Sequence, residues 1–174
     1  MNIRTINAEV YQAEGTIVWA AKENVEFLKA RALENPRGRA RLCAHPGPED
    51  RTHEMLVALR RDILLRPHVH PGNIESFTCV DGAMRVFLFN EDGSVLKALS
   101  MGPPQSGKVF FYRHTRPTFH TLIVESDVAV FLEVTQGPFN RESTVLAPWA
   151  PSEDDRDKLR DYLAALAART GAEG

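Results

Sequence analysis

The most informative part of the sequence is RPHVHPGNIE, residues 66–75, near the middle of the chain. Alternate side chains of an extended strand point to one face, so His68 and His70 lie side by side with Cα atoms about 7 Å apart. Two imidazoles at this separation can hold one metal ion. Pro-Gly-Asn at 71–73 is a strong turn signal, and such a turn can return Glu75 to the same face. The pattern therefore predicts two strands and a turn with three possible metal ligands on one side.

A third histidine further along the chain can complete the site. His120 belongs to FHTLIVE, residues 119–125, whose apolar content is typical of a buried strand. Three neutral imidazoles and one carboxylate suit a divalent Fe, Mn, Zn, Ni or Co ion. Four such ligands leave octahedral positions open for water or substrate, as in catalytic metal sites. We therefore expect one divalent metal ion at His68, His70, Glu75 and His120.

Short runs rich in Val, Ile, Leu and Phe surround this stretch, and Pro, Gly, Asp and Asn separate them. Asp-Gly pairs such as 81–82 supply the positive φ that tight hairpins require. The spacing predicts an all-β sandwich or barrel rather than alternating strands and helices. The predicted strands lie within 55–60, 62–70, 76–80, 84–90, 94–101, 108–114, 119–125 and 128–135.

Helices are predicted on both sides of the strands. Residues 21–33 carry loosely spaced apolar positions, and the Pro and Gly that follow end this helix. Residues 152–169 form a more amphipathic helix with Ser152 as its predicted N-cap. This helix and the exposed strand edges favour a homodimer. We expect an N-terminal helical extension over 1–40, a barrel over 41–150 and a C-terminal helix over 151–174.

The composition of the 174-residue chain is globular, with 43% apolar and 25% charged residues. Its net charge of −2 provides no general attraction for nucleic acid or anionic lipid. No run approaches the roughly 18 apolar residues of a membrane span, and the first residues lack the pattern of a signal peptide. Cys43 and Cys79 suit a reducing compartment. We expect a cytoplasmic protein that binds a small molecule, with neither nucleic acid nor membrane as partner.

The spacing of the candidate ligands resembles that of a known family. His68-x-His70-x4-Glu75-x6-Gly82 is similar to the first motif of the cupins, and His120 resembles the ligand of their second motif. Cupins are small double-stranded β-helices, also called jelly-roll barrels. The resemblance implies this fold, here with helical extensions at both ends, and the same four residues as metal ligands.

A narrower resemblance covers residues 36 to 151. PRGRARLCAH at 36–45, HEML at 53–56, EVTQGPF at 133–139 and APWAP at 147–151 look like the WbuC family of cupin-fold metalloproteins. Members are associated with bacterial surface-polysaccharide gene clusters, and the family has no settled reaction. The resemblance favours a small polar ligand such as a sugar or a sugar-nucleotide derivative.

Several other side chains are candidates for binding or catalysis. Arg66 lies two residues before His68, so it shares the inward face, where a guanidinium can bind a carboxylate or phosphate. Tyr112 and His114 lie just upstream of His120 and can donate or accept a proton. If the N-terminal segment folds over the barrel mouth, basic residues of that segment would form a lid: Arg39, Arg41 and His45.

Three kinds of function are compatible with such a site. In a metal-dependent isomerase or epimerase, the metal would polarise a carbonyl or hydroxyl group while Arg66 holds an anionic group. In an Fe(II)-dependent dioxygenase, the open metal positions would admit dioxygen. In a non-catalytic binding or sensing module, the metal would only orient the ligand.

Overall fold

The computed structural model describes residues 1–138 and 144–169. Its first half contains β1 (Asn2–Thr5), β2 (Val10–Glu14), α1 (Lys22–Glu34), β3 (Arg39–Cys43), β4 (Thr52–Arg60), β5 (His68–Val69) and β6 (Glu75–Asp81). Its second half contains β7 (Met84–Phe89), β8 (Val95–Met101), a short 3-10 helix (Pro104–Ser106), β9 (Phe111–Arg113), β10 (Phe119–Val124), β11 (Val128–Gln136), β12 (Val145–Leu146) and α2 (Arg156–Ala167).

The strands form two sheets that pack face to face. The 7-stranded sheet has the order β1-β2-β3-β4-β11-β6-β9, and the 5-stranded sheet has the order β12-β5-β10-β7-β8. Strands that are distant in sequence lie next to each other in both sheets, as in a jelly roll. The predicted all-β barrel with a helix on either side of it in sequence is therefore confirmed.

Strand alternation divides the apolar side chains among three cores. Phe77, Leu122 and Phe131 belong to the inner core, which lies between the two sheets. Leu28 of α1 packs with residues on the outer face of the 7-stranded sheet. Leu159 of α2 packs with residues on the outer face of the 5-stranded sheet. Each helix thus covers one outer face, while the space between the sheets is left for the inner core and the candidate site.

The N-terminal segment contains the expected helix together with two strands that the sequence did not predict. β1 and β2 pair in antiparallel fashion, and β2 pairs in parallel with β3, so they extend the 7-stranded sheet. β1 is mostly exposed and β2 has five residues, so neither produces a long apolar run. The boundaries predicted at residues 40 and 150 stay predictions.

The C-terminal helix begins later than predicted. Its N-cap is Asp155, whose Oδ1 accepts a hydrogen bond from Lys158 N at 3.2 Å. The predicted N-cap, Ser152, is wrong, because its hydroxyl accepts from Asp154 N in the preceding turn. Residues 170–174 of the predicted segment lie outside the described residues. The two α-helices have 13 and 12 residues, and the described part of the chain contains no helix long and apolar enough to span a membrane.

Two properties require glycine at position 82, in the turn between β6 and β7: its backbone conformation and the lack of room for a side chain. Its φ is +79°, in the left-handed region, and an added Cβ would lie 2.5 Å from Ser126 Oγ and against Val128 O. We predict that Gly82→Ala lowers the free energy of unfolding by about 2–5 kcal/mol, the sum of a conformational and an overpacking cost. Urea denaturation monitored by circular dichroism measures this loss.

Gly72 provides the matched control. Its φ is +84°, but apart from its chain neighbours no described residue has an atom within 4 Å of an added Cβ. Gly72→Ala should therefore cost only the conformational part, about 1–2 kcal/mol. Equal losses in the two variants would contradict a packing requirement at Gly82.

Candidate metal centre

Strands from both sheets bring the four predicted ligands together. His68 on β5 is the register partner of His120 on β10, and their ring centroids are 4.6 Å apart. His70 directly follows β5, with its ring centroid 5.0 Å from that of His68. The Nε2 atoms of His70 and His120 lie 3.7 Å from Oε1 and Oε2 of Glu75, respectively. The four side chains therefore form one cluster between the sheets.

Hydrogen bonds at Nδ1 orient the imidazole rings of the three predicted histidine ligands. Nδ1 of His68 lies 2.9 Å from the carbonyl oxygen of Arg66, and Nδ1 of His120 lies 3.0 Å from that of Thr118. A carbonyl oxygen only accepts, so both Nδ1 atoms donate and the lone pair of each ring resides on Nε2. Nδ1 of His70 lies 3.1 Å from the hydroxyl oxygen of Thr144. Metal-binding histidines are oriented by such contacts at the nitrogen that does not bind the metal.

His114 also belongs to this cluster, although it was not predicted as a metal ligand. Its Nδ1 lies 3.9 Å from Oε2 of Glu75. Ligand atoms of Glu75, His114 and His120 all lie within 4.8 Å of one another, which is close enough for one metal ion. Within the described residues, Nε2 of His114 is buried without a hydrogen-bond partner. His114 comes to Glu75 because β9 pairs with β6, and no local sequence signal reveals this pairing.

The other candidates predicted from the sequence lie around the cluster. The ring of Tyr112 stacks on Phe77 at 5.0 Å in the inner core, and burial raises the pKa of its hydroxyl well above the usual value. Nη2 of Arg66 donates to the carbonyl oxygen of Ala147 at 2.7 Å. Its Nε is buried and has no hydrogen-bond partner in the described part of the chain. The roles of Tyr112, His114 and Arg66 stay predictions.

A cavity of about 520 Å³ reaches the cluster, and its lining includes Arg66 and the four predicted ligands. Arg39 and Arg41 also line it, from the inner face of β3. His45 is not part of this lining; its ring stacks on that of His53 at 4.1 Å. The lining further includes Glu133 of β11, a charged residue that sequence reasoning did not select as a site residue. The cavity therefore joins the candidate metal site to both cationic and anionic side chains.

Burial changes the charge state of the cluster. It raises the pKa of Glu75 to about 8, with a further contribution from Glu133. It lowers the pKa of His70 and His114 to about 4 and also lowers those of His68 and His120. The imidazoles are therefore neutral at pH 7, the form that binds metals, and none supplies a positive charge to Glu75. The donor set fits a divalent cation, which would supply that charge.

We predict that metal binding near neutral pH releases one proton, which comes from Glu75. Above pH 6.5 the imidazoles are already neutral, whereas Glu75 stays protonated up to its pKa of about 8. The apparent affinity for zinc should therefore rise about tenfold per pH unit from pH 6.5 to 8 and then level off. Titration against a chromophoric chelator of known pH dependence measures this slope. An affinity that is constant across this range would contradict the raised pKa.

Part of the chain matches a sequence-family model. Residues 20–101, somewhat less than half of the chain, match a family model described as a domain of unknown function, DUF6016. No curated protein is significantly similar to the chain.

Solved structures show the fold. A structure of oxalate oxidase in complex with the substrate analogue glycolate has a TM-score of 0.51 and 15% identity, covering 75% of this chain and 67% of that one. DMSP lyase DddQ from Ruegeria pomeroyi DSS-3 has a TM-score of 0.49 and 17% identity over 65% of this chain and 54% of that one. Lactobacillus farciminis oxalate decarboxylase has a TM-score of 0.45 and 18% identity, covering 56% of this chain and 27% of that one. The chain thus spans about a quarter of the decarboxylase. At 15% identity, the similarity to oxalate oxidase concerns the fold alone, which is that of the cupins.

Proposed function

We propose that this cupin-fold chain binds one divalent metal ion through His68, His70, Glu75 and His120 and acts as a metal-dependent enzyme on a small polar metabolite. One observation carries the proposal: neutral imidazoles and a buried carboxylate, which has no counter-charge among the described residues, line a cavity of about 520 Å³. A structural metal site is closed by protein ligands, whereas a catalytic site keeps access for substrate. Access through the cavity therefore favours catalysis.

Three imidazoles and one carboxylate suit Fe, Mn, Zn or Ni. When bound, such an ion acts as a Lewis acid that polarises a carbonyl or hydroxyl group. The contact with the carbonyl oxygen of Ala147 holds the guanidinium of Arg66 in the cavity wall. We assign Arg66 to an anionic group of the metabolite, because guanidinium groups bind carboxylates and phosphates in a fixed geometry.

We propose that His114 accepts a proton, whereas Tyr112 contributes a hydrogen-bonding group. An isomerase or epimerase needs a base near the metal, and a neutral imidazole can accept a proton. The lining of the cavity in the described chain does not include His114, so we place its action at Nδ1, next to the Glu75 carboxylate. The hydroxyl of Tyr112, whose pKa burial raises, stays protonated, so it can take part in hydrogen bonds but cannot act as a base.

The resemblance to the WbuC family supports a sugar or a sugar-nucleotide derivative as the metabolite. Isomerisation and epimerisation are redox-neutral, so substrate turnover should consume no oxygen. Oxygen uptake together with iron in the purified protein would instead favour the Fe(II)-dependent dioxygenase. A ligand that binds tightly and is recovered unchanged would favour the non-catalytic binding or sensing module.

The homodimer and the cytoplasmic location also stay proposals. β9 is an edge strand of the 7-stranded sheet, and apolar side chains at and before it are exposed: Val109 at 39%, Phe110 at 47% and Phe111 at 50%. An exposed apolar edge is suited to pairing with a second copy. Both cysteines are free and buried, which is compatible with a reducing compartment. Light scattering after gel filtration measures the mass in solution.

We predict that His68→Gln and His120→Gln each reduce the metal content from about one equivalent to less than about a tenth after dialysis. Each change removes an imidazole donor from the proposed set. His45→Gln is the matched control, because His45 is also buried but does not line the cavity. Elemental analysis by mass spectrometry measures the bound metal. Full metal content in both variants would contradict the proposed ligands.

The variant His114→Gln separates two possible ligand sets. If His68, His70, Glu75 and His120 hold the ion, His114→Gln keeps it and changes only the pH dependence of turnover. If Glu75, His114 and His120 hold it instead, His114→Gln loses the metal and His68→Gln retains it. The second result would overturn the proposed set.

A further inference from the structure

Glu133 lies on the inner face of β11, where strand alternation places it with Phe131 of the inner core. Its register partners are Met55 on β4 and Phe77 on β6. Both neighbours across the sheet are therefore apolar. Among the described residues, the Glu133 carboxylate has neither a hydrogen bond nor an ion pair.

Glu133 lines the same cavity as the candidate metal cluster, but it does not belong to the group of Glu75, His114 and His120 whose ligand atoms lie within 4.8 Å of one another. Burial raises its pKa to about 7, while the charge of Arg41 opposes this change. A partly buried carboxylate without a partner costs free energy, and its exposed part faces the cavity. A ligand in the cavity can therefore supply a hydrogen-bond donor that no described side chain supplies.

The cations of the cavity wall differ in whether they are already paired. Arg39 donates to Glu9 at 2.7 Å, so it already has an ion-pair partner in the wall. The side chains of Arg41 and Arg66 form no ion pair with any described residue. Arg41 is on β3, separated from β11 by β4 alone, so the two strands are about 10 Å apart. A small ligand can therefore reach Glu133 and Arg41 together.

We propose that Glu133 is a specificity-determining residue: it accepts a hydrogen bond from a hydroxyl group of a small hydroxylated carboxylate whose anionic end binds Arg41 and Arg66. A hydroxyl donor is favoured over an ammonium group because it adds no positive charge beside two arginines and a divalent ion. The proposal rests on the proposed function, since it names the ligand class of that same site.

The probes are three six-carbon chains tested on metal-loaded protein. Gluconate carries hydroxyl groups and a carboxylate, hexanoate carries only the carboxylate, and sorbitol carries only hydroxyl groups. Isothermal titration at pH 8, above the pKa of Glu133, gives each dissociation constant. Wild-type protein should bind gluconate at least about tenfold more tightly than hexanoate or sorbitol. A hydrogen bond to a charged group contributes enough binding free energy for a factor of this size.

The decisive variant is Glu133→Gln, which keeps the shape of the side chain and removes its charge. This variant should lose most of the preference for gluconate over hexanoate. Its dissociation constant for hexanoate should stay within about threefold of the wild-type value. Glu153→Gln is the matched control, because it removes the same charge from another position in the cavity lining and should keep the preference. Arg41→Gln should weaken gluconate and hexanoate binding by the same factor. Thermal unfolding of each variant verifies the fold.

Metal content measured before and after each titration distinguishes failure of the proposed metal site from failure of the role proposed for Glu133. Wild-type protein that carries no metal contradicts the proposed function itself. Metal-loaded protein without a preference for gluconate, or a preference that survives Glu133→Gln, overturns the role of Glu133 and leaves the metal site in place.

Discussion

The candidate site depends on one electrostatic constraint. The carboxylate of Glu75 lies between two sheets, and the polar groups around it are neutral imidazoles. Burial favours the uncharged form of every member of this cluster, which raises the pKa of the acid to about 8 and lowers that of His70 to about 4. Without a cation, the cluster therefore contains no group that balances the ionised acid. The fold keeps these polar groups in its interior because strands on both sheets direct them inward, and this is the basis of the metal assignment.

The position of most site residues could be predicted because strand alternation is a local rule. His68 and His70 share a face, and His120 lies in an apolar run whose inward side is set by its neighbours in the inner core. The buried strands were predicted for the same reason, since their apolar runs are separated by turn residues. The short strands β1 and β2 were not predicted, because they carry few buried apolar residues.

Features that depend on pairing between distant strands could not be predicted. His114 contacts Glu75 only because β9 pairs with β6. Glu133 is a single acidic residue in an otherwise apolar run, and a sequence alone does not tell whether such a residue faces water or a cavity. The N-cap of α2 depends on the local turn, in which Asp154 N donates to Ser152 and leaves Asp155 to cap the helix.

The origin of the ligands in two different sheets has a consequence for stability. Glu75 comes from the 7-stranded sheet, whereas His68 and His120 come from the 5-stranded sheet. An ion held by all three would cross-link the two layers of the sandwich at this end, where charged and imidazole groups replace the apolar contacts of the inner core. Because an unfolded chain does not offer these donors at one point, ion occupancy would be thermodynamically coupled to folding, and the melting temperature would depend on the concentration of free ion.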